Sequence, residues 1–504
     1  MMTSRINFNF VLPALLLVLG LGACGPEETL PPPAVERAAP QVLLFQPLEA
    51  QQLSTASAAV SGRVVAEAGV AGLGYQLNGG EAVALPVEEG RSEQGFDVVV
   101  EAREGDNLLV VTVRDTEGRE ATGEVRFVRR TPLRPGALTA AGGSHSGTVR
   151  DGVLYTWGRN NRGQLGLGNT TDGKSPVKVA GLTDVATVSF SQNSSMVIKT
   201  DGTVWAWGEN NDGQLGLGSP TTPDVAVRTT PVQVPGITDA VAGAMGFSHA
   251  LVLHKDGHLS AFGKNNAGQL GDGTTTDRSY PVPVTGLSDV LRVIAASQHS
   301  AALLRDGTVW VWGRNTYGNL GTGAADTTSH PKPTQVPGLT GVVDIANGRD
   351  HILALHADGS VSAWGLNASG QLGDGQEGAS SQRATPAPVK NITGALAVFA
   401  QGNMSFALLR DGTLWGWGQN FNGQLGIGDT TAQPLPTSPV VLQVKPQEPL
   451  RGLIDVTPGA THVIARHQDG TVYAWGWSFA GSLGGGPALT DRWSYTLPLR
   501  VALP

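Results

Sequence analysis

Asp201 to Gly218 reads DGTVWAWGENNDGQLGLG, and Asp411 to Gly428 repeats it as DGTLWGWGQNFNGQLGIG. An Asp-Gly step stands six residues before an aromatic-Gly step in seven places. The aromatics are Trp157, Trp207, Phe262, Trp312, Trp364, Trp417 and Trp475, at intervals of 50, 55, 50, 52, 53 and 58 residues. A period of that length marks a propeller, solenoid or array, because one such unit cannot bury its apolar face alone.

Within each unit the residues favour antiparallel strands. Asp-Gly between alternating segments predicts a tight type I′ hairpin, since both residues tolerate positive φ. The Val-x-x-Trp or Leu-x-x-Trp that follows suits a pleated, half-buried strand, and the ring is large enough to pack between sheets. Gly-x-Asn-x-x-Gly is turn chemistry, after which Gln-Leu-Gly returns one apolar residue, as at Leu165, Leu215 and Leu425. A second recurring strand carries Pro-Val-x-Val or a relative, with Val177 and Val179, Val232 and Val234, Val282 and Val284. No window sustains an amphipathic helix. Four short strands, seven times over, predict an all-β ring of small antiparallel sheets.

The repeat resembles that of the regulator of chromosome condensation family, whose fold is a seven-bladed β-propeller. Copy four carries most of the pattern in Gln298-His299-Ser300-Ala301-Ala302-Leu303, Asp306-Gly307, Trp312-Gly313, Asn315, Gly318 and Leu320-Gly321. The likeness covers about residues 132–504, with departures at Phe262 and at Ser478, where other copies have Trp and Asn. The family includes nucleotide-exchange factors for small GTPases and a secreted bacterial propeller that inhibits β-lactamase. The resemblance therefore implies binding through a propeller face.

The rest of the chain sets the context. Charged residues are 15% of the 504, against 69 Gly and 31 Pro, which suits turn-dense β structure. The net charge of -8 argues against a nucleic-acid surface, so no nucleic-acid partner is expected. Residues 1–23 read as a signal peptide, with Arg5 ahead of an apolar run, Val11 to Leu21, that is short for a membrane span. Leu21-Gly22-Ala23-Cys24 resembles the bacterial lipobox, and Cys24 is the single cysteine. That resemblance implies lipidation at Cys24 and anchoring in a bacterial cell envelope. Gly25 in place of Asp points to the outer membrane or cell surface. Residues 24–41 are a Pro- and Glu-rich linker. Residues 42–131 lack the repeat. Strands are expected at Val42 to Phe45, Ala59 to Val65, Gly74 to Leu77, Phe96 to Val100, Asn107 to Val113 and Gly123 to Val128. The pattern suits a β-sandwich and resembles bacterial immunoglobulin-like modules, and it lacks the cysteine pair of antibody domains. Its expected role is that of a spacer.

Residues 132–504 form the ring, which Pro498 to Leu503 should close. That segment has two possible places, beside Tyr155 to Gly158 in the first sheet or beside Val472 to Gly476 in the seventh. The first is preferred, because a sheet shared between the chain ends fastens a ring that has no disulfide.

No catalytic, cofactor-binding or metal site is expected. His145, His249, His299, His351 and His462 share one repeat position, and His254, His356 and His467 share another. Repetition spreads them around a ring, whereas metal or acid–base sites need convergence. The GDGTTTD of 271–277 lacks the closing Glu of a calcium loop, and GQLGLG has no following Lys-Ser or Lys-Thr. The loop positions after each Trp-Gly vary freely, as binding surfaces of repeat proteins do. They supply Arg159, Arg162, Arg314, Tyr317, Phe421, Trp477 and Phe479 as candidate partner contacts, rich in the Arg and aromatic types that anchor interfaces. The expected function is non-enzymatic, envelope-anchored binding of a macromolecule, in the first place a protein. Guanine-nucleotide exchange, implied by the resemblance, and glycan binding, from the aromatic loops, are the alternatives.

Overall fold

The computed structural model describes residues 37–46, 52–53, 57–102, 105–129, 137–436, 440, 448–486 and 493–504. The expected leader, Cys24 and most of the expected linker lie outside them. The described chain is all-β apart from two short 3₁₀ turns, Ala379–Ser381 and Phe479–Gly481.

The described residues between 139 and 500 fold as seven successive antiparallel sheets, here sheets 1 to 7. Sheet 2 shows the plan, with Val185–Phe190, Ser194–Lys199, Val204–Gly208 and Arg228–Gln233 paired in chain order. The others span 139–178, 240–283, 290–335, 342–388, 395–418 and 453–500. Sheet 6 has three strands among the described residues, with Gly418 bridged to Gln433 where a fourth would run. The first strand of each sheet touches the first strand of the next, from Thr139–Ala141 round to Leu453–Pro458 and back. First strands therefore line an axis, fourth strands form the rim, and the chain is a β-propeller. Strand alternation sends the turns between first and second strands, and the loops between third and fourth, to one face. The Asp-Gly turns emerge on the other.

Those turns differ from expectation. Only Asp151-Gly152 has positive φ at both residues, 50° and 73°, as a type I′ turn requires. The first copy runs Arg150-Asp151 where the second runs Lys199-Thr200-Asp201, so it alone closes between paired Arg150 and Val153. In the longer copies only the Gly has positive φ, and the Asp caps the turn. Asp201 Oδ1, for example, accepts from Thr203 N at 2.9 Å and Thr203 Oγ1 at 2.6 Å.

The recurring aromatics stitch the sheets together. The six Trp and Phe262 are each 0% exposed. Each indole N–H crosses to the preceding sheet's loop, as Trp207 to Gln164 O, Trp312 to Gln269 O and Trp364 to Asn319 O, at 2.9–3.0 Å. Trp157 donates to Ser482 O at 2.9 Å and so joins the two ends of the ring. The approach is close enough that a Cβ on Gly166 would stand 2.8 Å from the Trp207 nitrogen.

Four boundaries add a second device. His145 Nε2 meets Ser195 Oγ at 3.1 Å, and Ser195 donates to Gln164 O at 2.8 Å. His249 with Ser300, His351 with Ser405, and His462 with Ser146 repeat this at 2.8–2.9 Å. Because the Ser hydroxyl donates to a carbonyl, it accepts from the imidazole, which places the proton on Nε2. Burial holds these four histidines neutral, with pKa values lowered to about 3 to 4. Where the His is absent the facing Ser is too: Ser194 corresponds to Ala250, and Met404 to Val463. His299 breaks the rule. Ile352 takes the Ser position, Ala296 replaces the Gly that elsewhere packs on the ring, and neither His299 nitrogen has a partner.

Closure corrects one expectation. Ser494–Arg500 pairs with Val472–Trp477 and completes sheet 7 rather than entering sheet 1. Sheet 1 already has four strands of its own, the first being Thr139–Ala141. The ends are fastened by side chains: Asp455 Oδ2 accepts from Leu138 N, Thr139 N and Thr139 Oγ1, each at 2.9 Å. Leu499 and Val501 share a core with Trp157 and Ile464.

All six strands expected before residue 131 are present, within Gln41–Gln46, Ser57–Val65, Val70–Leu77, Glu93–Glu101, Gly105–Asp115 and Glu120–Arg129. With two further two-residue strands, Gln52–Leu53 and Val83–Ala84, they form a three-stranded and a five-stranded sheet. One core, including Val60, Phe96, Leu109, Val111 and Phe127, draws on both.

Candidate functional site at the axial mouth

The loop face is built on buried amides. Asn210 Oδ1 accepts from Leu215 N at 2.9 Å, and its Nδ2 donates to Asp224 O at 3.0 Å. Gln214 Oε1 accepts from Asp212 N at 2.9 Å. In the same way a Leu N–H donates to the Oδ1 of Asn160, Asn265, Asn315, Asn367 and Asn420. With its backbone N–H groups held from inside by the Asn and Gln oxygens, the loop can vary its outward residues without losing its shape. Ser478 cannot supply these bonds, and there the chain winds through a 3₁₀ turn with Ala480 at φ 55°. From sequence the Asn belongs to a turn-forming block, and the Gln only precedes the returning apolar residue. Their recurrence was the available signal that they are the loop's internal frame.

At the centre of this face the axis opens into a cavity of about 760 Å³. Turns between first and second strands line it, among them Gln192, Phe247, Gln298, Arg349 and Asn403. Sequence reasoning did not single these residues out as a site, because the two or three residues of each turn differ from copy to copy, and Gln298 figured only in the repeat pattern. Lys264 and Arg314 reach the same cavity from the loops. Lys264 Nζ lies 3.0 Å from Asp212 and 3.2 Å from Asp277, and hydrogen bonds to both carboxylates raise its pKa. Arg314 donates from Nε to Thr316 Oγ1 at 2.7 Å and from Nη1 to Gln298 Oε1. The Arg349 side chain is 69% exposed and lies 3.3 Å from Asp350. Burial pushes the Asp350 carboxyl up, against the pull of Arg349 and Arg314.

The sequence candidates divide. Arg159, Trp477 and Phe479 come together across the boundary of sheets 7 and 1. The Trp477 and Phe479 rings stack at 4.9 Å, and Arg159 lies 5.8 Å over Phe479. Arg162 pairs with Glu209 at 3.4 Å on the neighbouring boundary, and Arg314 points into the mouth. Tyr317 is half-buried on its own loop, while Phe421 is 67% exposed. Phe247 and Trp493, 52% and 75% exposed, lie on the same face and were not foreseen. Trp493 O accepts from Ser478 N at 2.9 Å, which sets it beside the Trp477 loop. Among the described residues no cluster of three or more His, Cys, Asp or Glu could hold a metal.

Comparison with known proteins agrees with this architecture. The RCC1-like domain matches residues 114–400, and the regulator of chromosome condensation (RCC1) repeat matches residues 411–466. The ultraviolet-B receptor UVR8 of Arabidopsis thaliana is 29% identical over 366 residues, 72% of this chain and 81% of the receptor. Yeast RCC1 (Prp20) in its complex with Kap60 superposes with a TM-score of 0.60 at 23% identity, over 69% of this chain and 83% of that one. Prp20p of Saccharomyces cerevisiae, studied also for its binding to Gsp1p and histones, gives 0.60 at 22% identity, over 71% and 87%. At such identity the two structures speak for the fold. The domain match extends over more than half of the sequence, and its seven stitched sheets carry the repeat throughout: the chain belongs to the RCC1 family.

Proposed function

We propose that this chain is a non-enzymatic binding protein that engages a protein partner through the loop face of a seven-bladed propeller. The observation that carries the reading is the concentration on one face of every variable loop, the axial mouth, and the exposed Phe247, Phe421 and Trp493. Exposed aromatics beside arginines are what interface hot spots are made of. The complex of yeast RCC1 with Kap60 lends support as a protein partner of a relative. The seven sheets in a closed cycle support seven blades, and the shared core of the two N-terminal sheets supports an immunoglobulin-like sandwich over residues 42–131. Lipidation at Cys24 and residence in a bacterial envelope, at the outer membrane or cell surface, complete the proposal and rest on the leader sequence. The alternatives are guanine-nucleotide exchange, by family resemblance, and glycan binding by the Arg159, Trp477 and Phe479 cluster. An exported chain has no cytoplasmic GTPase within reach, which places exchange second.

A photo-cross-linking residue at Phe421, set against one at Lys255 on the opposite face, tests the face. A protein adduct from position 421 and none from 255 is expected in cells that make the protein. Equal capture from both positions, or none from 421, refutes it.

A further inference from the structure

The axial mouth has a charge that the whole chain does not. The protein carries a net charge of -8, yet the cavity of about 760 Å³ is lined by three cations, Lys264, Arg314 and Arg349 on three consecutive sheets, against one acid, Asp212. Lys264 is already matched by Asp212 and Asp277. The two arginines share a single carboxylate, Asp350. Arg314 is hydrogen-bonded by neutral groups, Gln298 and Thr316, which orient the guanidinium, and the charge of Asp350 reaches it only in common with Arg349. Arg349 has Asp350 beside it, a carboxyl that is 7% exposed, while its own side chain is 69% exposed. Desolvation weakens such a buried counter-ion. A guanidinium offers paired donors to a carboxylate, and oriented arginines lose little freedom on binding one.

The cavity is not shaped like a small-molecule site. Such sites are mainly apolar and largely enclosed. This one is open to the loop face and lined chiefly by amides, hydroxyls and charges. Phe247, half-exposed at its rim, adds one apolar contact of the kind that protein interfaces use.

We propose that the axial mouth receives an acidic loop or tail of a protein partner, with partner carboxylates paired to Arg314 and Arg349 and the adjoining segment packed on Phe247. This rests on the loop face being the binding face, and it adds the chemistry of what enters.

The test uses the full chain and fluorescein-labelled octaglutamate, followed by anisotropy. Binding is expected to weaken as salt rises from about 0.05 M to about 0.5 M, because exposed charges are screened. Arg314→Glu with Arg349→Glu should weaken it by about tenfold or more, the loss of at least one charge-assisted hydrogen-bonded pair. Lys178→Glu with Lys332→Glu, exposed residues on fourth strands, changes the net charge equally and should leave binding as in wild type. Equal weakening by both variants, or none by the first, overturns the proposal. So does displacement by millimolar inorganic phosphate beyond the effect of sodium chloride at equal ionic strength, which would make this a small-anion site. Unchanged melting temperatures show that the variants are folded. Repeating the Phe421 cross-link in Arg314→Glu with Arg349→Glu separates the two readings. An intact adduct from a variant that has lost octaglutamate refutes the acidic segment and leaves the binding face standing. Loss of the adduct together with octaglutamate supports both.

Discussion

Replacing Trp312 with Ala removes the largest side chain of one inter-sheet core. The ring is 0% exposed and packs in one cluster with Leu270, Val284 and Val293. Truncation of a buried Trp costs about 3–5 kcal/mol through lost transfer energy and the cavity left behind. The indole also donates to Gln269 O, but that carbonyl keeps its bond from Ser300 Oγ at 2.8 Å, so no acceptor is orphaned. The lost bond adds about 1 kcal/mol. The sum is about 4–6 kcal/mol, and at about 2 °C per kcal/mol for a large domain the melting temperature falls by about 8–12 °C. Trp312→Phe isolates the hydrogen bond. Phe262 already occupies the same position, at a boundary where Ala250 replaces the Ser. This change should cost only about 1–2 kcal/mol. Differential scanning calorimetry on both variants decides the matter. A shift below about 1 °C for Trp312→Ala would place the ring outside the core and refute the stitching argument.

His299→Met should stabilise the protein by about 1–3 kcal/mol at neutral pH, because it removes a buried group with no hydrogen-bond partner, and Met404 shows that the position accepts it. The five buried histidines take up protons on unfolding below pH 6.5 but stay neutral when folded until about pH 3 to 4. Stability present above pH 6.5 is therefore lost as pH falls, and His299→Met should flatten urea-derived stability against pH by about 1.4 kcal/mol per unit. An unchanged slope would mean that His299 is not buried. Truncation after Tyr495 deletes Leu499 and Val501 from the core around Trp157 and should lower the midpoint of the whole ring by about 3–6 kcal/mol. A wild-type melting curve would refute closure. Mass spectrometry of the mature amino terminus should find lipidated Cys24, and an unmodified Cys24 or cleavage elsewhere ends the anchoring reading.

The repeat and the six N-terminal strands were legible because they rest on local chemistry. Alternation, Asp-Gly turns and a Trp or Phe every 50 to 58 residues each act within a few positions of the chain. The type of turn was not legible, since one extra residue, Thr200 against its absence after Arg150, decides between two turns with the same Asp-Gly. Nor was the place of Ser494–Arg500, because a ring permits two closures of the same pattern and only side chains on distant strands, Asp455 and Thr139, choose between them. The candidate site divides in the same way. Sequence placed Arg314 and Phe421 on variable loops, yet only the ring brings Phe247, Gln298 and Arg349 to one opening. The alternation of His with Ser across sheets is likewise a pairing between copies, visible only once neighbours are in contact. Local preference determined that this chain would be a ring of small sheets. What stands on the axis was decided by closure, which brings side chains distant in sequence to one centre.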